Sequence, residues 1–152
     1  MAIDVEKALA LELPAVHFEV ERGRLRFFAA ATGQTDPIYT DVAAARAAGH
    51  RDLPVPPTFY FSMELDTTDM FEAIASLGVD LRFVLHGEQG FDYHSMACAG
   101  DSLTLTPRFT DVVSKKGGAL ELLTKQTDIS RGHELIASAT NVIVVRNPGV
   151  GS

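Results

Sequence analysis

His86 and Glu88, separated by one glycine in "HGEQ", are the residues of this sequence best suited to moving protons. An imidazole titrates near neutrality, and positions i and i+2 of a strand share a face. Both side chains could therefore point into one cleft. The same four residues could equally form a polar turn at a sheet rim. Asp36, directly before Pro37, is a third candidate acid–base group, although Asp-Pro also makes a turn by itself. In "PVPPTF", Pro57, Thr58 and Phe59 could lead into a helix whose first N–H groups polarise a carbonyl, or form a rigid loop capping a buried helix. His86, Glu88 and His94 lack the spacing of zinc ligands, so no metal is expected. Cys98, in "SMACAGD", has no cationic neighbour to favour a thiolate and reads as a packed thiol. His17, His50 and His133 read as surface or strand-end residues.

The bulk numbers narrow the function classes. A chain of 152 residues is one domain by length and can bury a core without staples. The expected unit is residues 1–152, with 1–14 as an N-terminal extension. The net charge of -7 and the lack of a basic patch argue against a nucleic-acid partner. One cysteine and no signal peptide point to a reducing, cytoplasmic setting. No apolar run approaches the roughly 20 residues of a membrane span.

Helices come first and strands follow. "VHFEVE" (16–21) alternates as a strand. In "RGRLRFFAAATG", Leu25, Phe28, Ala29 and Thr32 share a helical face, and Gly33 stands where a helix ends. Asp41 is placed to cap the alanine-rich helix "VAAARAAG". The prolines at 54, 56 and 57 force an extended loop, and Pro57 can open the next helix. That helix carries Phe59, Phe61, Met63 and Leu65, apolar on most sides, which predicts burial. "TDMFEAIASLG" adds a short helix with the stripe Met70, Ile74 and Leu77. Beyond Gly78 the period becomes two. Leu81, Phe83 and Leu85, then Phe91 and Tyr93, alternate. Leu103, Leu105, Phe109 and Val113 fall on one face of a further strand, with Pro107 marking an edge or a bulge. Tight turns at "KKGG" and "RGHE" complete a three-strand meander. The resulting expectation is an α+β fold, a curved antiparallel sheet wrapped around the apolar helix near Pro57.

This order resembles the hot-dog fold, and two blocks narrow the resemblance. "GQTDPIYTDVAAARAAGHRDLPVPPTF" and "LHGEQGFDYHSMACAGDSLTL" are similar to the two signature blocks of the N-terminal-type MaoC dehydratases, over roughly residues 16–146. The resemblance implies an acyl thioester, on coenzyme A or acyl carrier protein, and reversible hydration of a 2-enoyl thioester, with no cofactor. Related (R)-specific hydratases carry glycine-aspartate-x-asparagine-proline-x-histidine. Gly33 and Pro37 match that pattern, and Asp36 replaces the asparagine. Gln34 stands in the place of the catalytic aspartate and Tyr39 in that of the histidine. A glutamine amide does not titrate, and a phenol begins near pKa 10, so neither suits the proton transfers of hydration. Gln34 and Tyr39 are then substrate-lining residues, together with Pro57, Thr58 and Phe59. The implied role is a substrate-binding subunit served by a dyad-bearing partner, in a homodimer or heterodimer joined through the sheet edge. The alternatives are a stand-alone hydratase or thioesterase using His86 and Glu88, and a non-catalytic acyl-CoA-binding protein.

Overall fold

A computed structural model describes residues 3–67 and 69–150. The elements run α1 (Val5–Ala10), β1 (Val16–Glu19), α2 (Arg22–Ala31), α3 (Val42–Ala47), α4 (Phe59–Thr67), α5 (Met70–Ser76), β2 (Val84–Tyr93), β3 (Ser102–Lys115), β4 (Leu120–Arg131) and β5 (Glu134–Arg146). The five strands form one antiparallel sheet in the order β1-β3-β4-β5-β2. α4 lies against its inner face, so the fold is α+β with a central helix, as the sequence predicts.

The local signals work as expected at several points. Asp41 Oδ1 accepts from the amides of Ala43 and Ala44 at the start of α3. Gly33 ends α2 with φ +69°, a conformation that suits glycine. Pro107 sits where β1 has already stopped. β1 pairs with β3 only from Ser102 to Leu105, so at Pro107 the β1 side of β3 needs no donor.

Three boundaries and one facing differ from the sequence expectation. β1 ends at Glu19 rather than 21. Residues Leu81–Phe83 form a 3₁₀ turn, capped by Asp80 through the Arg82 amide, and the strand starts at Val84. α4 begins at Phe59, because Pro57 and Thr58 form the turn before it. Val113 does not share the inner face with Phe109. The register slips between Phe109 and Asp111, and an extra residue reverses the alternation, so Val112 packs inside instead.

Inside the sheet the core divides. One apolar cluster gathers Phe18, Leu25, Leu53, Phe59, Tyr60, Met63, Leu103 and Ile129. Phe59 anchors it, edge-on to Phe18 and Phe28 at centroid distances of 6.0 and 5.2 Å. A second cluster gathers Ile74, Leu77, Phe109, Leu123, Ile143 and Val145 under α5 and the N-terminal segment. That segment is pinned by the Ile3 amide on buried Glu121 (2.8 Å) and by Lys7 Nζ on the Ser76 carbonyl (2.7 Å). Between the clusters, the inward positions of β4 and β5 carry Lys125, Thr127 and Asn141, all buried. A polar belt therefore crosses the inner face.

α4 is apolar on most sides but is not buried on all of them. Phe59, Tyr60, Met63 and Glu64 are buried, whereas Leu65 is 59% exposed and Phe61 half-buried. Its outer apolar residues line cavities instead of core. No helix among the described residues is long and apolar enough to cross a membrane.

Candidate functional site

The largest of three cavities among the described residues, about 640 Å³, opens between α4, α5 and the inner faces of β2, β4 and β5. Apolar walls come from Phe61 and Leu65 of α4, Met70 and Ile74 of α5, Val84 of β2 and Ile143 of β5. Helical spacing presents the first four, and strand alternation the last two. One end is polar and is built from the belt: Glu64, His86, Lys125 and Asn141.

Lys125 Nζ donates to Glu64 Oε2 at 2.8 Å, and the two side chains are only 5% and 3% exposed. Burial of this depth is tolerated for ions when they pair. Asn141 Nδ2 donates to Gln89 Oε1 at 2.9 Å and lies 3.3 Å from His86 Nδ1. The His86 ring also stands edge-on to Phe61, with centroids 5.3 Å apart. Asp66 and Asp69 line the cavity as well. Asp66 pairs with Arg24, and Asp69 accepts from the Glu72 amide as the cap of α5.

Of the two sequence readings of "HGEQ", the acid–base pairing of His86 with Glu88 does not occur. The register shifts between them, with His86 opposite Ile143 and Glu88 opposite Val142. Cross-strand partners share a face, and neighbours on β5 alternate, so His86 faces the cavity side and Glu88 the other. Gly87 makes the bulge possible. A Cβ there would lie 2.7 Å from Val144 Cγ2 and 2.9 Å from the Val142 carbonyl oxygen.

The 33–41 turn lies apart from all three described cavities. Gln34 Oε1 accepts from the Asp36 amide, and Asp36 Oδ1 accepts from the Ile38 amide. Gln34 and Asp36 are exposed and serve the turn's own geometry, while Tyr39 is half-buried in the Pro37–Tyr39 3₁₀ turn. Pro57 and Thr58 are exposed beside α4, and the Pro57 carbonyl accepts from Tyr93 Oη at 2.8 Å. The Phe59 amide is already bonded to the Pro56 carbonyl at 3.0 Å. Phe59 itself is core, and it also contributes to a smaller groove of about 390 Å³ between α2 and α4.

Lys125 and Asn141 were not among the sequence candidates. Their signal is present in the strand phase. Lys125 falls in step with Leu123 and Ile129, and Asn141 in step with Ala139 and Ile143. A charge or amide on the apolar beat of a strand is an ion or dipole directed inward.

Away from the cavity, buried Asp101 holds the "AGD" turn. It accepts from Arg51 and Arg131, each at 2.7 Å, and from the Cys98 amide at 3.0 Å. Burial pushes its carboxyl up, but these donors outweigh burial and hold it below the ordinary value. Burial raises the Tyr60 phenol to about 12. Among the described residues no three His, Cys, Asp or Glu side chains converge as a metal site requires.

The model of a family described as "FAS1-like, dehydratase domain region" matches residues 9–139. A UPF0336 protein of Leifsonia xyli subsp. xyli is 40% identical over 134 residues, 88% of this chain and 89% of its own. Among solved structures, the ChsH1-ChsH2 complex from Mycobacterium tuberculosis aligns with a TM-score of 0.74 and 25% identity, over 96% of this chain and 94% of the matched one. A chain of the HadBC (3R-hydroxyacyl-ACP dehydratase) complex of the same organism aligns at 0.70 and 21%, over 84% and 89%. A protein described as a MaoC-like dehydratase aligns at 0.78 and 24%, over 93% of this chain and 43% of that one. Two of these structures are complexes of different subunits. The chain belongs to the FAS1-like dehydratase-region family, with UPF0336 proteins among its relatives, and has the MaoC-like hot-dog fold.

Proposed function

We infer that this chain is the acyl-cradling subunit of an (R)-3-hydroxyacyl-thioester dehydratase, and that a partner subunit supplies the proton-transferring residues. One observation carries this reading. The imidazole at the large cavity is hydrogen-bonded to an amide, Asn141, and the carboxylate two residues along lies on the other face of the sheet. Hydration needs a base for water and an acid for the α-carbon, and among the described residues no carboxylate of the cavity wall is hydrogen-bonded to its imidazole: Glu64 pairs with Lys125 and Asp66 with Arg24, and Asp69 caps α5. Its volume and apolar walls suit an acyl chain. β2 is a ten-residue edge strand with one side unpaired among the described residues, a surface on which a partner sheet can continue. The heteromeric complexes among the structural neighbours support a partner of related fold.

The test is hydration of enoyl-CoA by the purified chain, alone and after mixing with a MaoC-like subunit that carries the aspartate–histidine motif. Negligible turnover alone and activity in the mixture are expected. A second reading, a stand-alone hydratase centred on His86, draws on that residue's place in the cavity wall. Strong activity from the chain alone that disappears in His86→Ala would establish it and reject the first. Release of free coenzyme A would identify a thioesterase, and saturable acyl-CoA binding without turnover in any mixture a binding protein.

A further inference from the structure

The polar end of the cavity is chemically incomplete. Lys125 carries three N–H donors and meets one acceptor among the described residues, Glu64 Oε2. Asn141 uses its Nδ2 donors toward Gln89 and His86, while its Oδ1 receives no hydrogen bond among them. Both side chains are nine-tenths or more buried, and both line the cavity. Buried polar groups are costly to leave unmet. Spare donors from an ammonium and a spare amide acceptor therefore face the same space, at one end of a cavity walled beyond them mainly by apolar side chains.

Charge decides what fits there. Glu64 already neutralises Lys125, and Asp66 and Asp69 stand in the same walls. A second carboxylate would meet like charge. A plain alkyl chain would leave the donors and the acceptor dry and unmet. A hydroxyl answers both, accepting from Lys125 and donating to Asn141 Oδ1. We propose that the cavity selects acyl chains carrying a neutral hydroxyl in their distal half, remote from the 3-hydroxyl on which a dehydratase acts and bound by Lys125 and Asn141, over chains unsubstituted there. This rests on the acyl-cradling reading and names its substrate class.

The experiment is calorimetric titration of the full chain with decanoyl-CoA, with isomers bearing one hydroxyl moved carbon by carbon along the distal half, and with the ω-carboxy analogue. At least one hydroxy isomer should bind about fivefold to tenfold more tightly than decanoyl-CoA, the gain of a satisfied hydrogen bond. Asn141→Leu should erase that gain, so that the hydroxy isomers bind no more tightly than decanoyl-CoA to the same variant. Lys125→Met alone strands Glu64 in the interior and endangers folding. The double variant Glu64→Leu/Lys125→Met removes both charges together and should also erase the preference. If decanoyl-CoA binds and no hydroxy isomer binds better, the proposal is overturned while the acyl cavity stands. Equal preference in the variants, or a gain confined to the carboxy analogue, overturns it too. If no acyl-CoA binds at all, both the proposal and the acyl-cradling reading fall.

Discussion

Lys125 Nζ lies 2.8 Å from Glu64 Oε2, joining the central strand of the sheet to the helix it surrounds. The residues are 61 positions apart and almost wholly withdrawn from water. Removing one partner leaves an uncompensated interior charge, whereas removing both leaves none. Glu64→Leu and Lys125→Met should each destabilise the fold by about 3–5 kcal/mol. The double variant should recover most of that loss. Denaturant unfolding of the two singles and the double measures the coupling, and singles that simply add would contradict it.

Thr127 stands next on the same inward row, fully buried, and among the described residues its hydroxyl has no hydrogen-bond partner. Valine has nearly the same shape without the unmet polar atom. Thr127→Val is therefore expected to raise stability by about 1–2 kcal/mol, read as a higher denaturation midpoint. A drop of similar size would mean that the hydroxyl is satisfied in solution.

Gly87 sets which way His86 points. An added methyl at Gly87 would press on the Val142 carbonyl, a backbone atom that cannot swing aside. Gly87→Ala should cost about 1–3 kcal/mol, the usual range for overpacking. It should also move the imidazole away from the Phe61 ring and Asn141. The chemical shifts of the His86 ring report this directly, and an unchanged spectrum would show that the bulge tolerates a side chain.

Asp101 links stability to acid. Its folded carboxyl is held below the ordinary 3.8 because the donors from Arg51, Cys98 and Arg131 outweigh its burial. A depressed value means that the unfolded chain binds the proton more readily. The associated stability is complete above about pH 5 and drains away as pH falls through the depressed value. Asp101→Asn should lower the melting temperature at neutral pH and flatten its fall below about pH 4. Parallel pH–melting curves for the two proteins would rule this out.

Tyr60 gives the mirror case at high pH. Burial favours the neutral phenol and lifts its ionisation to about 12. Stability should decline between the ordinary 10.0 and about 12 as the unfolded chain releases a proton that the folded one retains. Absorbance titration of Tyr60→Phe against the parent isolates the late phenolate.

Much of the fold is legible residue by residue because the signals are local. Asp41 caps its helix, Gly33 ends one, and the apolar beat of β3 through Leu103 and Leu105 matches its burial. The errors follow from single extra residues. Bulges at Gly87 and after Phe109 each reverse an alternation that period-two counting carries straight through. A glycine inside a strand pattern is a known sign of such a bulge, and "HGE" contains one. The candidate site was less legible. His86 does line the cavity, but Glu64, Lys125 and Asn141 come from three distant segments, and only tertiary pairing reveals that their inward phase converges. The turn at Gln34 and Tyr39 was singled out by resemblance, and its side chains lie outside the cavities.

The hydrophilic stripe formed by Lys125, Thr127 and Asn141 has a mechanical consequence. It parts the oily interior into compartments that share β4 and β5 but have separate side-chain packing. Loosening of α5 and the chain start need not be felt at Phe18, Phe59 and Leu103. Deuterium uptake should accordingly proceed in two tempos, with amides of the Ile74–Val145 compartment surrendering their protons at lower free energy than those around Phe59.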